Sequence, residues 1–489
     1  MSDAHIHRSR LTFWLVPAFF AGLTFLCRQH VFFWDTVQFA GKHSLWFYEQ
    51  NFASLLLPPE IDSGHPPVFA WYLAVLWKLF GKSLAVSHWA MFPFLAGIVW
   101  QLHLLGRRLL KNISACWLIV IPLADPVFLG QSVLVSPDIA LCFFFLLALR
   151  AGWNGQTFWT GIAYLGMSLI SMRGMMIVAA FALIQAWHWF RNRNKGEERG
   201  LRNLRWLLTF LPAALFSFIF LFIHYRAYGW IGYHSDSPWA PSFVRVDAGG
   251  FFRNAIIFIW RWLDHGRVFI WIVLFFLLVF DRIKTGRTIR SYYLRLKTSS
   301  LVDLFSLLFC ITLLLSYSFL TYTGLQAHRY LLPCFLLFSM ITVLGIDRFP
   351  RARMRKFLLP FLFLGLLSGN LWKYPDDVAQ GWDSTLAHWP YYGLRDDLLL
   401  YLKKEGISPE EVGTAFPEIG PLKQRDLSGR SFGFKEKELH QDRWIFYSNV
   451  MNDFSDEEVD ELRNNWQVRK RFAAWPVEVV LYERREKRR

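Results

Sequence analysis

Eleven apolar runs dominate the sequence, and they leave it few folds. They fall at about residues 11–27, 88–105, 113–135, 138–150, 157–172, 174–190, 206–224, 268–280, 301–320, 330–346 and 357–371. A bilayer core is crossed by roughly 17–25 apolar residues, with shorter stretches where a span is tilted or broken. The expected fold class is therefore a polytopic α-helical membrane protein. Composition agrees: 54% of the 489 residues are apolar and 18% charged, against about 25% charged in an average soluble domain. That excludes a wholly soluble enzyme, a disordered chain and a collagen-like chain.

Charge gives the direction. Residues 1–372 carry a net +19 and residues 373–489 a net −3. Every second connection is basic: Arg107, Arg108 and Lys111; Arg150; Arg191 through Arg205; Arg282 through Lys297; and Arg348 through Lys356. Basic loops stay in the cytoplasm, so an odd number of spans exports the C-terminal part. The basic residues lie in short clusters between apolar runs, so no nucleic-acid partner is expected. The N-terminal run follows Arg8 and Arg10 without a small-residue cleavage site after Cys27, and reads as a retained first span. The five cysteines lie in or beside apolar runs and read as buried small hydrophobes.

Val68–Phe80 is apolar, yet it is short, contains Lys78, and would invert every later loop if it crossed. Residues 28–87 therefore read as one long external loop with interfacial helices at 34–50 and 67–80, rich in aromatic residues suited to the headgroup layer. Two domains follow: a membrane domain over 1–372, and a small extracytoplasmic α/β domain over 373–489. The second has a helix at 394–405, strands at 411–415, 444–449 and 477–482, and a capping box, Ser455 with Glu458, opening a helix at 456–464. It carries no phosphate loop, nucleophile elbow or metal-ligand spacing.

Ionisable residues at one level of a membrane protein are the informative ones. The external ends hold Asp35, Lys42, His43, Asp62, His65, His88, Asp125, Asp138, Arg173, His224, Arg226, Asp264, His265, Arg267, His328 and Arg329. Singly, each is explained by snorkelling or by capping, Asp35 before Thr36 and Asp138 after Pro137 being examples. Together they contrast with a cytoplasmic side of almost only Lys and Arg.

Their order is recognisable. Phe33-Trp34-Asp35-Thr36 follows the first span, then come Gly64-His65-Pro66-Pro67, Leu79-Phe80-Gly81, and His88 opening the second. Gly106-Arg107-Arg108, Ser136-Pro137-Asp138, Ser171-Met172-Arg173-Gly174 and His328-Arg329-Tyr330-Leu331-Leu332-Pro333 complete the series. Over residues 11 to about 372 this resembles the lipid-sugar-dependent membrane glycosyltransferases of the C-type fold, family 39 and its relatives, which include protein O-mannosyltransferases and aminoarabinose transferases. The resemblance implies transfer of a hexose or pentose from a polyprenyl-phosphate donor to a lipid, glycan or protein acceptor, in a bacterial inner membrane. It implies that Asp35 is the catalytic base, with Asp138 as the second-loop carboxylate. It places His65, His88, Arg173, Arg329 and Tyr330 with the substrate. Where relatives often have Asp-Glu this chain has Asp35-Thr36, and where many have Arg opening the second span it has His88.

One base and one phosphate clamp, Arg173 and Arg329 with His65, imply a single inverting displacement. A divalent metal on Asp35, Asp138, His65 or His224 is possible, although no tight ligand spacing demands one. A transporter or lipid-sugar flippase also suits many spans, but alternating access wants polar residues near the midplane. A non-catalytic scaffold would have no need of carboxylates and arginines at matching external ends.

Overall fold

The run after Arg329 is apolar on all sides, and a helix without a polar face must be buried. In a computed structural model, which describes residues 3–192, 205–235, 237, 239–285, 299–375, 378 and 380–485, this helix is the axis of a bundle. The chain begins with α1 (Asp3–Cys27), then α2 (His43–Glu49), α3 (Val68–Phe80) and α4 (Leu84–Trp89). It continues through α5 (Phe92–Leu109), α6 (Trp117–Leu123), α7 (Pro126–Ser132), α8 (Pro137–Trp153), α9 (Thr157–Ile170) and α10 (Met172–Asn192). Then come α11 (Arg205–Tyr228), α12 (Ala248–Arg261), α13 (Val268–Thr285), α14 (Ser299–Thr321), α15 (Leu332–Asp347) and α16 (Ala352–Ser368). Helix α15 is the axis: every residue but Gly345 is buried, and it packs against α6, α8, α13, α14 and α16. The outer helices turn large apolar side chains outward, Phe218 and Phe222 on α11, Phe275 on α13 and Phe309 on α14. Such continuous apolar exposure is what lipid covers, and the chain is a polytopic helical membrane protein.

Five stretches of the described residues are long and apolar enough to cross a membrane on length and composition alone: 84–109, 206–228, 300–321, 328–347 and 352–371. Shorter apolar helices, 157–170 and 268–280 among them, stand beside them. The basic stretches 193–204 and 286–298 lie outside the described residues. The run at 113–135 is not one helix. Asp125 precedes Pro126, which disfavours helical backbone, and its ψ of 127° ends α6 while its carboxylate accepts the Val127 N–H at 2.9 Å to start α7. Helices α7 and α8 then meet at 118°. The broken path still covers the bundle's thickness. Its start is tied to the end of α15, where the Asp347 carboxylate accepts the N–H groups of Asn112 and Ile113 at 2.7 and 3.0 Å. Its finish, Gln131, meets Asp383 near the opposite end.

In the long loop after α1, a π-helical turn (Val37–Lys42) runs into α2, and α3 follows Pro67, matching the two expected interfacial helices in position. The amphipathic α12 is unforeseen from the apolar runs. It is short, and its cap is Asp247, whose carboxylate accepts the Gly250 N–H at 2.7 Å.

The C-terminal part is a six-stranded mixed sheet in the order β2-β3-β1-β4-β6-β5. Its strands are β1 (Val412–Thr414), β2 (Gly420–Pro421), β3 (Gly433–Glu436), β4 (Trp444–Ser448), β5 (Trp466–Ala474) and β6 (Val477–Arg484). Strand β1 runs parallel to β3 and β4, and the other pairings are antiparallel. Helix α17 (Pro390–Glu405) packs on β6 and β5. A short α18 (Lys423–Asp426) follows β2, and α19 (Asp456–Asn465) starts at the capping box of Ser455 and Glu458. The domain sits on the loop after α1: the Phe32 N–H donates to the Arg425 carbonyl at 3.0 Å, and the His30 ring stacks on Tyr392 at 3.9 Å.

Candidate active site

At the end of the bundle where α15 begins, Arg329 is the centre of a carboxylate cluster. Its Nη2 donates to Asp35, its Nη1 lies 3.4 Å from Asp138, and its Nε lies 3.0 Å from Asp383. Arg173 joins from the α9–α10 turn, its Nη2 2.8 Å from Asp138 Oδ1. The Tyr330 ring stands between the two guanidiniums, 4.5 Å from that of Arg173 and 4.9 Å from that of Arg329.

Local sequence puts each group there. Thr36 bonds both the N–H and the carbonyl of Phe33 through its hydroxyl, closing a tight turn in which Asp35 takes no capping role. Ser136 caps α8 by accepting the Asp138 N–H at 3.2 Å, which releases the Asp138 carboxylate for the arginines. Arg173 owes its place to Gly174, where a Cβ would meet the Met167 carbonyl oxygen at 1.8 Å. Only glycine lets α10 start that close to α9.

Three carboxylates against two guanidiniums leave the cluster with an excess negative charge. Asp35 is the most open carboxylate, its side chain 21% exposed against 3% for Asp138 and 5% for Asp383. Asp383 is held above the usual carboxylate range, by burial and then by Asp35 and Asp138, while Arg329 opposes the shift. Two buried guanidinium nitrogens miss hydrogen-bond geometry: Arg329 Nε, which still lies within ion-pair range of Asp383, and Arg173 Nη1, which has no partner.

Arg173 also lines a cleft with His65, Pro66, Pro67, Pro137 and Asp138, which has a cavity of about 20 Å³, room for one water. His65 accepts the Met172 N–H on Nδ1 at 3.4 Å. Its pKa is pushed down to about 3, first by burial and then by Arg173. The ring is therefore neutral at pH 7 and carries its proton on Nε2, a donor without charge.

Of the residues singled out from sequence, the fold brings together Asp35, Asp138, His65, Arg173, Arg329 and Tyr330. It does not bring in His88, whose Nε2 bonds the His30 carbonyl at 3.0 Å beneath the C-terminal domain. His224 is elsewhere too, 3.0 Å from Asp62. Asp383 escaped the sequence reading, because it lies in the C-terminal part and only the fold returns it to Arg329. Gln131, which donates to the Asp383 carbonyl at 2.8 Å, was hidden in the same way inside an apolar run.

No family model and no curated protein matches the chain. Solved structures do. ArnT from Cupriavidus metallidurans bound to undecaprenyl phosphate superposes with a TM-score of 0.53 at 12% identity, covering 96% of this chain and 97% of that one. The chain shares the C-type glycosyltransferase fold. The apo state of the same ArnT gives a TM-score of 0.50 at 11% identity over the same shares. The likeness therefore runs through both the helical bundle and the C-terminal domain.

Proposed function

We propose that the chain is a membrane glycosyltransferase that moves a sugar from a polyprenyl-phosphate donor to an acceptor hydroxyl or phosphate on the extracytoplasmic face. The observation that carries the reading is an accessible carboxylate, Asp35, in one cluster with Arg173, whose Nη1 has no hydrogen-bond partner. The shared fold with a protein bound to undecaprenyl phosphate supports the donor class.

In this mechanism Asp35 takes the proton of the acceptor hydroxyl as its oxygen bonds to the anomeric carbon. The bond from that carbon to the donor phosphate breaks on the opposite side, and the phosphate leaves with the electron pair. A positioned base contributes about 10²–10⁴-fold. Arg173 Nη1 and the neutral His65 Nε2–H meet the developing phosphate charge, where preorganised donors are worth about 10²–10³-fold each. Arg329 is the positioning residue: committed to three carboxylates, it orients Asp35 and holds Asp383 and Asp138 in place. One base and no covalent intermediate give inversion at the anomeric carbon. The 28–87 loop lies on the external surface, the N-terminus is cytoplasmic, and the membrane is the bacterial inner membrane.

The test is binding and turnover by the purified full chain in lipid. Undecaprenyl phosphate should bind the wild type, and Arg173→Gln should weaken it at least tenfold. Panels of undecaprenyl-phosphate sugars should yield transfer that Asp35→Asn abolishes without loss of binding. Equal binding by wild type and Arg173→Gln, or full turnover by Asp35→Asn, would overturn the assignment.

A further inference from the structure

A second polar centre lies beside the first, at the turn between α12 and α13. Among the described residues, Asp264, His265 and His328 each offer a ligand atom, and these atoms lie within 4.8 Å of one another. All three side chains are fully buried. The His265 nitrogens both fail to meet hydrogen-bond geometry, although the Gly369 backbone stands near the ring, and His328 Nδ1 has no partner either. A buried polar atom left unpaired destabilises the fold unless something binds it. Packing alone accounts for part of the arrangement, since the His265 ring stacks on Tyr374 at 5.5 Å. His328 Nε2 is engaged, 2.5 Å from Asp264 Oδ2, but packing gives no reason for the idle nitrogens of His265 or for His328 Nδ1. The backbone also holds His265 in place at a cost, at φ +46°, ahead of Gly266 at φ +80°. A non-glycine residue in that region is held there by its surroundings.

We propose that Asp264, His265 and His328 bind a divalent transition-metal ion of the zinc class. Two imidazoles and one carboxylate suit zinc better than calcium or magnesium, which prefer all-oxygen shells. Zinc–ligand distances of about 2.0–2.2 Å place ligand atoms roughly 3–4 Å apart, a modest contraction from the separations here. The surrounding groups fit an outer shell. Arg267 Nη2 holds Asp264 Oδ1 at 2.7 Å, and its Nη1 contacts both oxygens of Asp125 at 3.1 and 3.2 Å. The Tyr374 hydroxyl, 2.5 Å from Asp264 Oδ2, or a water supplies a fourth ligand. Arg261 Nη1, 3.1 Å from His328 Nε2, opposes a cation; Asp125 and Asp264 offset only Arg261 and Arg267, so the charge of the metal is to be met by loss of a proton from its fourth ligand. Because His328 directly precedes Arg329, the metal would clamp the α12–α13 turn to the segment that positions Arg329. The role is structural.

The test uses the full chain purified without chelator and without a polyhistidine tag. Metal content by mass spectrometry and zinc titration against a chromophoric chelator should give one equivalent per chain. His265→Ala should fold, yet bind zinc at least tenfold more weakly, about the loss seen even for outer-shell changes. His328→Ala should do the same, and zinc should raise the thermal midpoint of the wild type but not of His265→Ala. No uptake by the wild type at micromolar zinc would overturn the site. So would wild-type zinc affinity in both variants, which would put the metal elsewhere. None of these measurements depends on sugar transfer.

Discussion

Replacing Arg329 with glutamine removes the one cation that three carboxylates share, and their separate surroundings set the cost. Asp138 keeps Arg173 at 2.8 Å. Asp35, 21% exposed, can take water in place of the guanidinium. Asp383 can do neither: it is buried, and its remaining side-chain partners are neutral, the Ser384 hydroxyl at 3.3 Å and the Gln131 amide at 3.4 Å. Breaking a buried ion pair costs about 3–5 kcal/mol. With one carboxylate stranded, the lower end, about 3 kcal/mol, is expected. The sign of its pH dependence follows. Asp383 is already raised above the usual carboxylate range, and losing Arg329 raises it further. A carboxyl raised in the folded state costs stability as pH climbs above its unfolded value, so the variant should lose more at pH 8 than at pH 5. Adding Asp383→Asn should then restore stability, a coupling of about 1–3 kcal/mol. The assay is thermal unfolding of the full chain in detergent, followed by tryptophan fluorescence, with undecaprenyl phosphate binding in parallel. The reasoning fails if Arg329→Gln is as stable as wild type but no longer binds the lipid phosphate. It fails as well if Asp383→Asn adds to the loss.

Asp35→Asn should cost about 10²–10⁴-fold in turnover with an unchanged unfolding midpoint; turnover assays on folded protein decide it, and near-normal rates would move the base to Asp138. In the C-terminal domain, Glu418 is buried against Arg395 at 2.7 Å and Tyr391 at 2.9 Å, and the arginines hold it below its usual range despite burial. Its contribution is present above the unfolded value near pH 4.3 and lost as pH falls below it. Circular dichroism of the full chain should show Glu418→Gln less stable than wild type at pH 7, with the gap closing toward pH 3. Cysteines placed at Arg353 and Lys435 should react with impermeant reagents from opposite sides of the membrane; labelling from one side would refute the topology.

Much of this protein was legible without coordinates. Apolar length and the alternation of basic loops specify a helical membrane bundle, because water, hydrocarbon and charge act on local composition. Ser455 and Glu458 make a capping box through neighbouring backbone alone, and Asp35, Asp138, Arg173 and Arg329 stand out because ionisable groups at span ends are rare. Other features depend on distance. Asp125 and Pro126 break the expected third span, yet that break matters only because Arg267 arrives to bind the carboxylate. Asp383 looks like any polar residue of a soluble segment until folding carries it to Arg329. Arg329, read from sequence as a phosphate ligand, lies in ion-pair range of three carboxylates, a setting that only the fold creates. Local chemistry determined which residues could ionise and where the chain could cross. Which cation meets which carboxylate, and which donor is left over, only long-range packing could decide, since Coulomb energy depends on separation in space and not along the chain.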